Sequence, residues 1–448
     1  MSTQGEAPSA AAGEIWEADL TWTGRRFETG VRLEIGASGS LLRVGQDLPE
    51  PHRRLRRRAL LPGFVNAHSH AFQRGLRGLG ETFPQDAGSF WTWRRAMYGL
   101  VADLDADRLH RLCLQAFREM LAAGITTVGE FHYVHHLNPE PGDDFTFDEV
   151  VLRAAAEAGI RIVLLQAYYA TGGVGQPLEG AQRRFRIDSL ERYWQQMDHL
   201  AGLLEPRTQS LGAVAHSLRA APPDAVQELH AEARRRKMVL HLHVEEQRQE
   251  VDAVVETWGR RPLELLLEHL PVGPGLTAVH CTHTPPAHLR SFAQAGANVC
   301  ICPLTEANLG DGIASLPALQ QIPEGLGALC LGTDSNARIS MLEEMRWLEY
   351  VQRLHTESRG VLRNDHGDIA PSLLHAATRA GATALGLPTG QLVPGAPADL
   401  ILVDLDAPQL AELDENSLAA GLVLGAGDAV IREVCVGGRW VIGNSATA

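Results

Sequence analysis

The amino-acid sequence predicts an α/β fold: a (β/α)8 TIM barrel over residues 61–389, beside a small β-sandwich lobe formed by both chain ends, residues 1–60 and 390–448. Three observations lead there. Eight short apolar, β-branched runs recur through the middle of the chain, most of them followed by a helical stretch. Chemistry-bearing side chains stand at the same end of successive runs. Short alternating strands occupy the two termini.

The terminal elements come first in that reading. Glu17 to Leu20, Val31 to Ile35 and Leu41 to Val44 alternate and are separated by glycine, serine and threonine turns, as strands of a small sheet do. Asp399 to Asp404 and Val430 to Val436 have the same character, and Gly390, Pro394, Gly395 and Pro397 mark the boundary before them. The central runs fall at about 62–67, 125–131, 161–167, 211–215, 239–244, 276–281, 297–303 and 328–332. Helical patterns follow at Asp107 to Ala123, Pro223 to Arg236, Pro286 to Ala295 and Ile339 to Leu354. The runs are continuous rather than alternating, so the strands are covered on both faces.

An open doubly wound sheet uses the same units, and the polar residues favour the barrel. His68 and His70 follow the first run, His132 and Tyr133 end the second, His216 and Arg219 follow the fourth. His243 and Glu246 end the fifth, His280 and His283 the sixth, Thr305 and Glu306 the seventh, and Asp334 the eighth. A barrel collects such strand ends at one mouth, whereas structural histidines scatter.

Composition narrows the function. The 448 residues hold 40 basic and 54 acidic side chains, and 40 − 54 leaves −14, which disfavours nucleic acid or an anionic membrane as partner. No run of 18 apolar residues suggests a membrane span, and residues 1–15 lack the pattern of a secretory leader. The 6 cysteines contain no CxxC pair and read as reduced, buried thiols of a cytoplasmic protein. Lys237 is the one lysine among the 40 basic residues. It precedes the fifth strand, at the end opposite His243, so a carboxylated lysine bridging two metals is not expected and one metal ion is.

That ion has candidate ligands. His68-Ser69-His70 places two imidazoles two residues apart on an extended segment, where both point to one side. His243, His280 and Asp334 complete a nitrogen and oxygen set that suits zinc and leaves room for water. The residues alone leave open whether His280 binds the ion or stands beside it, and iron or manganese is also compatible with such donors.

Leu61-Pro62-Gly63-Phe64-Val65-Asn66-Ala67-His68-Ser69-His70, His243 with Glu246, His280 and Leu331-Gly332-Thr333-Asp334-Ser335 resemble the amidohydrolase superfamily, specifically its deaminases. Gly390 to Leu400 resembles that superfamily's return from barrel to sheet lobe. Longer strings resemble the formimidoylglutamate deiminase family within it: His70 to Arg74, Ser89 to Arg94, Glu130 to His136, His216 to Arg219 and Thr305 to Gly312. The resemblance implies hydrolysis of N-formimino-L-glutamate to N-formyl-L-glutamate and ammonia, in histidine degradation. It implies that His68, His70, His243 and Asp334 hold one zinc ion, that Glu246 shuttles protons, and that His280 polarises water or stabilises the adduct. Gln73, Arg94, Tyr133, His216 and Arg219 become the substrate-recognition set.

These residue types suit the reaction. Zinc lowers the pKa of water toward about 7, and an enclosed carboxylate such as Glu246 can carry the proton to the leaving nitrogen. Asp334 can bind the metal and also orient the attacking oxygen. A dicarboxylate substrate calls for two-pronged guanidinium clamps, for which Arg94 and Arg219 are the candidates. Arg94 could instead cap a helix with Trp91 and Trp93, and Glu245-Glu246-Gln247 could simply open an acidic helix turn.

Weaker signals remain. Arg53 to Arg58 reads as a solvated turn, Cys300-Ile301-Cys302 as core packing, and Gly172 to Gly175 as a loop without a phosphate fingerprint. Segment 171–188 carries no assignable motif. The expected partner is a small dicarboxylate substrate, and the expected assembly is a homodimer. A deaminase of a purine, pterin or other amidine is the neighbouring alternative. A non-catalytic zinc scaffold is the alternative of another class, disfavoured because structural zinc sites saturate the metal with protein ligands.

Overall fold

The computed structural model describes residues 13–79, 81, 90–138, 144–322 and 325–443. Residues 1–12 and 444–448 of the expected lobe, most of the segment read for a leader, and Ser89 lie outside the described residues. In chain order the strands are β1 (Glu14–Trp22), β2 (Phe27–Glu28), β3 (Arg32–Ile35), β4 (Leu41–Gly45) and β5 (Arg53–Pro62). Next come β6 (Phe64–Ser69), β7 (Ile125–His132), β8 (Arg161–Tyr168), β9 (Gln209–Ala215), β10 (Leu240–Val244), β11 (Leu276–His280), β12 (Asn298–Ile301) and β13 (Leu329–Leu331). Finally β14 (Leu400–Asp404), β15 (Ile431–Val436) and β16 (Arg439–Ile442) follow.

Strands β6 to β13 lie side by side in sequence order and pair in parallel, the (β/α)8 barrel. Every residue of β6, β7, β8 and β10 to β13 is buried, the physical origin of their unbroken apolar runs. Helices such as Ala106–Ala122, Pro223–Arg235, Pro286–Gln294 and Met341–Thr356 cover the outside. The ring closes where β6 meets the residues after β13. The His70 amide donates to the Asp334 carbonyl at 2.8 Å and the Asp334 amide to the His68 carbonyl at 3.0 Å. Gly332 permits this seam, because a Cβ there would stand 2.7 Å from the His68 Cβ and carbonyl oxygen. The closure therefore brings His68, His70 and Asp334 together.

A second sheet draws on both chain ends, in the order β16-β15-β14-β5-β1-β3-β4, with β2 paired to β1. Trp16 of β1 and Trp440 of β16 are four strand positions apart, which is about 19 Å in a flat sheet. Their rings nevertheless stack at 5.0 Å, so the sheet folds over a core that includes Leu33, Leu60, Leu400 and Leu402. The Arg53 to Arg58 segment is a correction to the sequence reading: it is part of β5, inside this sheet, rather than a turn. Leu55 buries while Arg54 and Arg56 face solvent, and Arg54 and Arg58 pair with Glu17, Glu50, Asp404 and Glu433. Neighbouring acids and strand pairing thus accommodate a charge run that looks like a loop.

Among the described residues no helix is long and apolar enough to cross a membrane. All 6 cysteines are free and buried.

Candidate active site

The mouth of the barrel gathers the side chains singled out above. His68 Nε2 and His70 Nε2 each lie 3.3 Å from Asp334 Oδ1, and His243 Nε2 lies 3.2 Å from His68 Nε2. His280 Nε2 stands 3.9 Å from Asp334 Oδ2 and 3.9 Å from Glu246 Oε1. Donor atoms of His68, His243, His280 and Asp334 all fall within 4.8 Å of one another. Backbone strain clusters here too: Glu245, His280, Cys281, Asp334 and Asn336 have positive φ. Such conformations persist only where surrounding structure enforces them. Asn66 contributes, donating to Thr333 Oγ1 at 2.7 Å and accepting from the Thr333 amide at 3.0 Å, so the two sides of the seam are stitched together.

The tautomers test whether a cation fits. His70 Nδ1 donates to the Phe131 carbonyl at 2.7 Å and His243 Nδ1 to the His216 carbonyl at 2.9 Å. Each ring therefore turns a bare Nε2 lone pair inward. Burial, with neighbouring histidines adding to it, holds both pKa values down, His70 to about 3 and His243 well below its ordinary value. His68 is likewise held neutral by burial. Lone pairs facing a carboxylate across 3.3 Å repel unless a positive charge lies between them, so these donors fit a divalent metal ion. His280 differs. Burial opposes its charged form, but Glu246, Glu306 and Asp334 outweigh burial and raise its pKa to about 10. Its Nδ1 faces Glu306 Oε1 at 3.2 Å, and its Nε2 has no hydrogen-bond partner among the described residues.

The two adjacent glutamates part company. Glu245 turns away, accepting from Arg261 Nη2 at 2.9 Å and from the Leu263 amide at 3.2 Å, where it caps the helix Pro262–His269. Glu246 lines the pocket. The following helix begins only at Arg248, so neither acid lies in its first turn. Arg219 Nη2 donates to Glu246 Oε2 at 3.0 Å, and Glu250 Oε1 lies 3.9 Å from Arg219 Nε. The Glu246 amide donates to Glu250 Oε2 at 3.1 Å.

A pocket opens over this group, lined by all five proposed substrate-binding residues: Gln73, Arg94, Tyr133, His216 and Arg219. Gln73 Nε2 donates to the Tyr133 hydroxyl at 2.8 Å. Arg94 sits within the helix Phe90–Ala102, its guanidinium 5.1 Å from the Trp91 ring and 5.2 Å from the Tyr98 ring. Sequence reasoning missed Tyr98, Tyr169 and Phe185, which also line the pocket. Tyr98 carried a usable signal, four residues after Arg94 and hence on the same helix face. Phe185 lies in the motif-free segment and had none.

Two other clusters have ordinary explanations. Asp148 accepts from His135 Nδ1 at 2.9 Å and from the amides of Gln166 and Gln196 at 2.5 and 3.0 Å, with His132 Nε2 at 3.1 Å. Protein donors satisfy that carboxylate without an ion. Cys300, Cys302 and Cys330 pack with Ala67 and Val279; burial pushes the Cys300 and Cys302 thiols up, and the hydrogen bond with Cys300, followed by burial, does so for Cys330. Lys237 is exposed ahead of β10, away from the centre.

The chain is similar to known proteins over nearly its whole length. A formimidoylglutamate deiminase of Pseudomonas aeruginosa is 41% identical over 416 residues, covering 92% of this chain and 91% of its own. A 5-methylthioadenosine/S-adenosylhomocysteine deaminase of Natronomonas pharaonis is 29% identical, covering 96% of this chain and 91% of its own. The crystal structure of an amidohydrolase from Brucella melitensis superimposes with a TM-score of 0.87 at 32% identity, over 95% of this chain and 94% of that one. A zinc-bound adenosine deaminase from Xanthomonas campestris shares the fold with a TM-score of 0.80 at 24% identity, over 97% of this chain and 93% of that one. The model of the amidohydrolase family matches residues 59–441, from the end of β5 through the barrel to β16. With its seam of histidines and aspartate at the barrel mouth, this chain belongs to the amidohydrolase family.

Proposed function

We propose that the chain hydrolyses the formimino group of N-formimino-L-glutamate, releasing ammonia and N-formyl-L-glutamate. The observation that carries this reading is the placement of Arg94 and Arg219 in one pocket with Glu246 and the inward-facing imidazoles. Two guanidiniums suit a substrate with two carboxylates. The Pseudomonas aeruginosa relative adds weight. Histidine breakdown is then the place of the reaction, and the cytoplasm its site.

His68, His70, His243 and Asp334 would hold one zinc ion. When bound, that ion supplies Lewis acidity and a water acidic enough to attack at neutral pH. Asp334 turns its second carboxylate oxygen toward His280 and so orients the attacking oxygen. Glu246 would take a proton from the attacking water and return it to the terminal nitrogen, and would then accept the remaining hydroxyl proton as the carbonyl forms. The carbon–oxygen bond forms, the carbon–nitrogen bond breaks, and ammonia leaves. His280, whose charged form Glu246, Glu306 and Asp334 favour, would donate from Nε2 to the developing negative charge. Gln73, Tyr133 and His216 surround the formimino end.

The aromatic lining favours one second reading, a nucleobase-like amidine packed against the exposed side of the Tyr133, Tyr169 and Phe185 cluster. Ammonia release from N-formimino-L-glutamate, guanine and adenosine by the zinc-loaded protein separates the two. Turnover of the purines alone would sink the proposal.

A further inference from the structure

The motif-free segment 171–188 is a wall of the pocket, and its contact with Tyr98 has a direction. Gln182 is buried, and backbone groups set how its amide lies. Its Oε1 accepts from the Glu179 amide at 3.2 Å, while its Nε2 donates to the Gly172 carbonyl at 3.0 Å. Reversing the amide would set oxygen against oxygen and nitrogen against nitrogen. The remaining Nε2 proton goes to the Tyr98 hydroxyl at 3.0 Å, so the phenol oxygen is the acceptor in that bond. The phenol's own proton is left to be given, and no acceptor takes it among the described residues. Burial raises Tyr98 to about 12, so the proton stays on at neutral pH.

The surroundings indicate what receives it. Tyr98 lines the same pocket as Arg94 and Arg219, and Arg94 packs against its ring. A hydroxyl beside two guanidiniums meets an anion, to which an O–H donor gives a short, strong bond. We propose that Tyr98 donates its phenolic proton to a carboxylate of the substrate, and that Gln182 is the positioning residue that turns the phenol to do so. This rests on the dicarboxylate reading above and extends it by one binding residue and one support.

Titration calorimetry of the zinc-loaded protein with N-formyl-L-glutamate tests it, beside N-formyl-4-aminobutyrate and N-formyl-L-norvaline, which lack the α- and the side-chain carboxylate respectively. Tyr98→Phe is expected to weaken N-formyl-L-glutamate about tenfold. It should weaken the one monocarboxylate that keeps the contacted group and leave the other unchanged. An equal loss for all three ligands, or none, overturns the proposal. In Gln182→Glu a carboxylate takes the phenol's proton, so the same ligand selectivity of loss is expected, with no further loss when Tyr98→Phe is added. Undiminished affinity in Gln182→Glu overturns the positioning role. Dicarboxylate binding without turnover of N-formimino-L-glutamate would remove the reaction and leave the Tyr98 contact standing. Failure of the wild type to bind would remove both.

Discussion

Arg219 Nη2 lies 3.0 Å from Glu246 Oε2, which ties the proposed carboxylate clamp to the proposed proton carrier. A substrate carboxylate arriving at that guanidinium would compete with Glu246, so binding would free the proposed proton carrier as it fills the pocket. Arg219→Lys keeps the charge but loses the two-pronged geometry. Its KM for N-formimino-L-glutamate should rise about 10- to 100-fold, the range for bonds to charged groups, with a smaller change in kcat. Steady-state ammonia release measures both. A KM rise of the same size for a formimino compound without carboxylates would remove the clamp role.

Glu246→Gln and Glu245→Gln should behave as opposites. Glu246 opens on the pocket, and losing a general acid–base group costs about 10²- to 10⁴-fold in kcat. Glu245 holds Arg261 and the Leu263 amide in the interior. Its replacement should lower the thermal midpoint while the folded fraction keeps near-normal kcat. Metal content by elemental analysis should match wild type in Glu246→Gln. If kcat in that variant stays within a few-fold of wild type, the proton carrier lies elsewhere.

The barrel was legible because buried parallel strands write continuous apolar runs, and the mouth because His68, His70, His243, His280 and Asp334 each follow such a run. What escaped has physical reasons. Arg53 to Arg58 hid strand β5, since its charges are met by acids brought from Glu17 and Glu433, one nearby and one far along the chain. Glu250 was invisible as a support because its partners, Arg219 and the Glu246 amide, meet it only after folding. Gln182 faces Tyr98 from 84 residues away, and no periodicity records that distance.

Glu250 gives stability a pH dependence. Burial raises its pKa from 4.5 to about 7; Arg219 opposes the rise while Glu246 and Glu245 add to it. Between those values the folded chain keeps a proton that the unfolded chain gives up, so stability falls as pH climbs through the window. The contribution is roughly 3 kcal/mol in full. Glu250→Gln should flatten this slope and gain on wild type in denaturant midpoint between pH 5 and pH 8. Parallel curves for the two proteins would show that Glu250 titrates normally.

Removing the metal should act on folding as well as on rate. His70 turns a bare nitrogen toward Asp334 and His243 turns one toward His68, and without a cation these groups repel one another. A ligand bound only by the folded state stabilises by about 2.7 kcal/mol at a hundred times its Kd. Chelation should abolish ammonia release and lower the thermal midpoint, and stoichiometric zinc should restore both. Iron and manganese arms of the same titration identify the preferred ion. Full activity in a verified metal-free sample would overturn the assignment.

Asp399 joins the lobe to the base of the barrel. Arg161, the first residue of β8, donates to its two oxygens at 2.7 and 3.0 Å, and the Thr389 hydroxyl and Gly437 amide donate at 2.9 and 2.7 Å. The carboxylate is buried, so this is an ion pair screened from water rather than a surface contact. Breaking such a pair from one side costs about 3–5 kcal/mol, because the remaining charge stays buried. Asp399→Ala should therefore lose that much in denaturant unfolding. Asp399→Asn should lose less, since it keeps one acceptor for the guanidinium. The pair stands at the opposite end of the barrel from Glu246, so kcat of the folded fraction should remain within about twofold of wild type. A large fall in kcat at full occupancy of the folded state would mean that the lobe transmits strain to the mouth. The seam at Asp334 would then be the place to seek it.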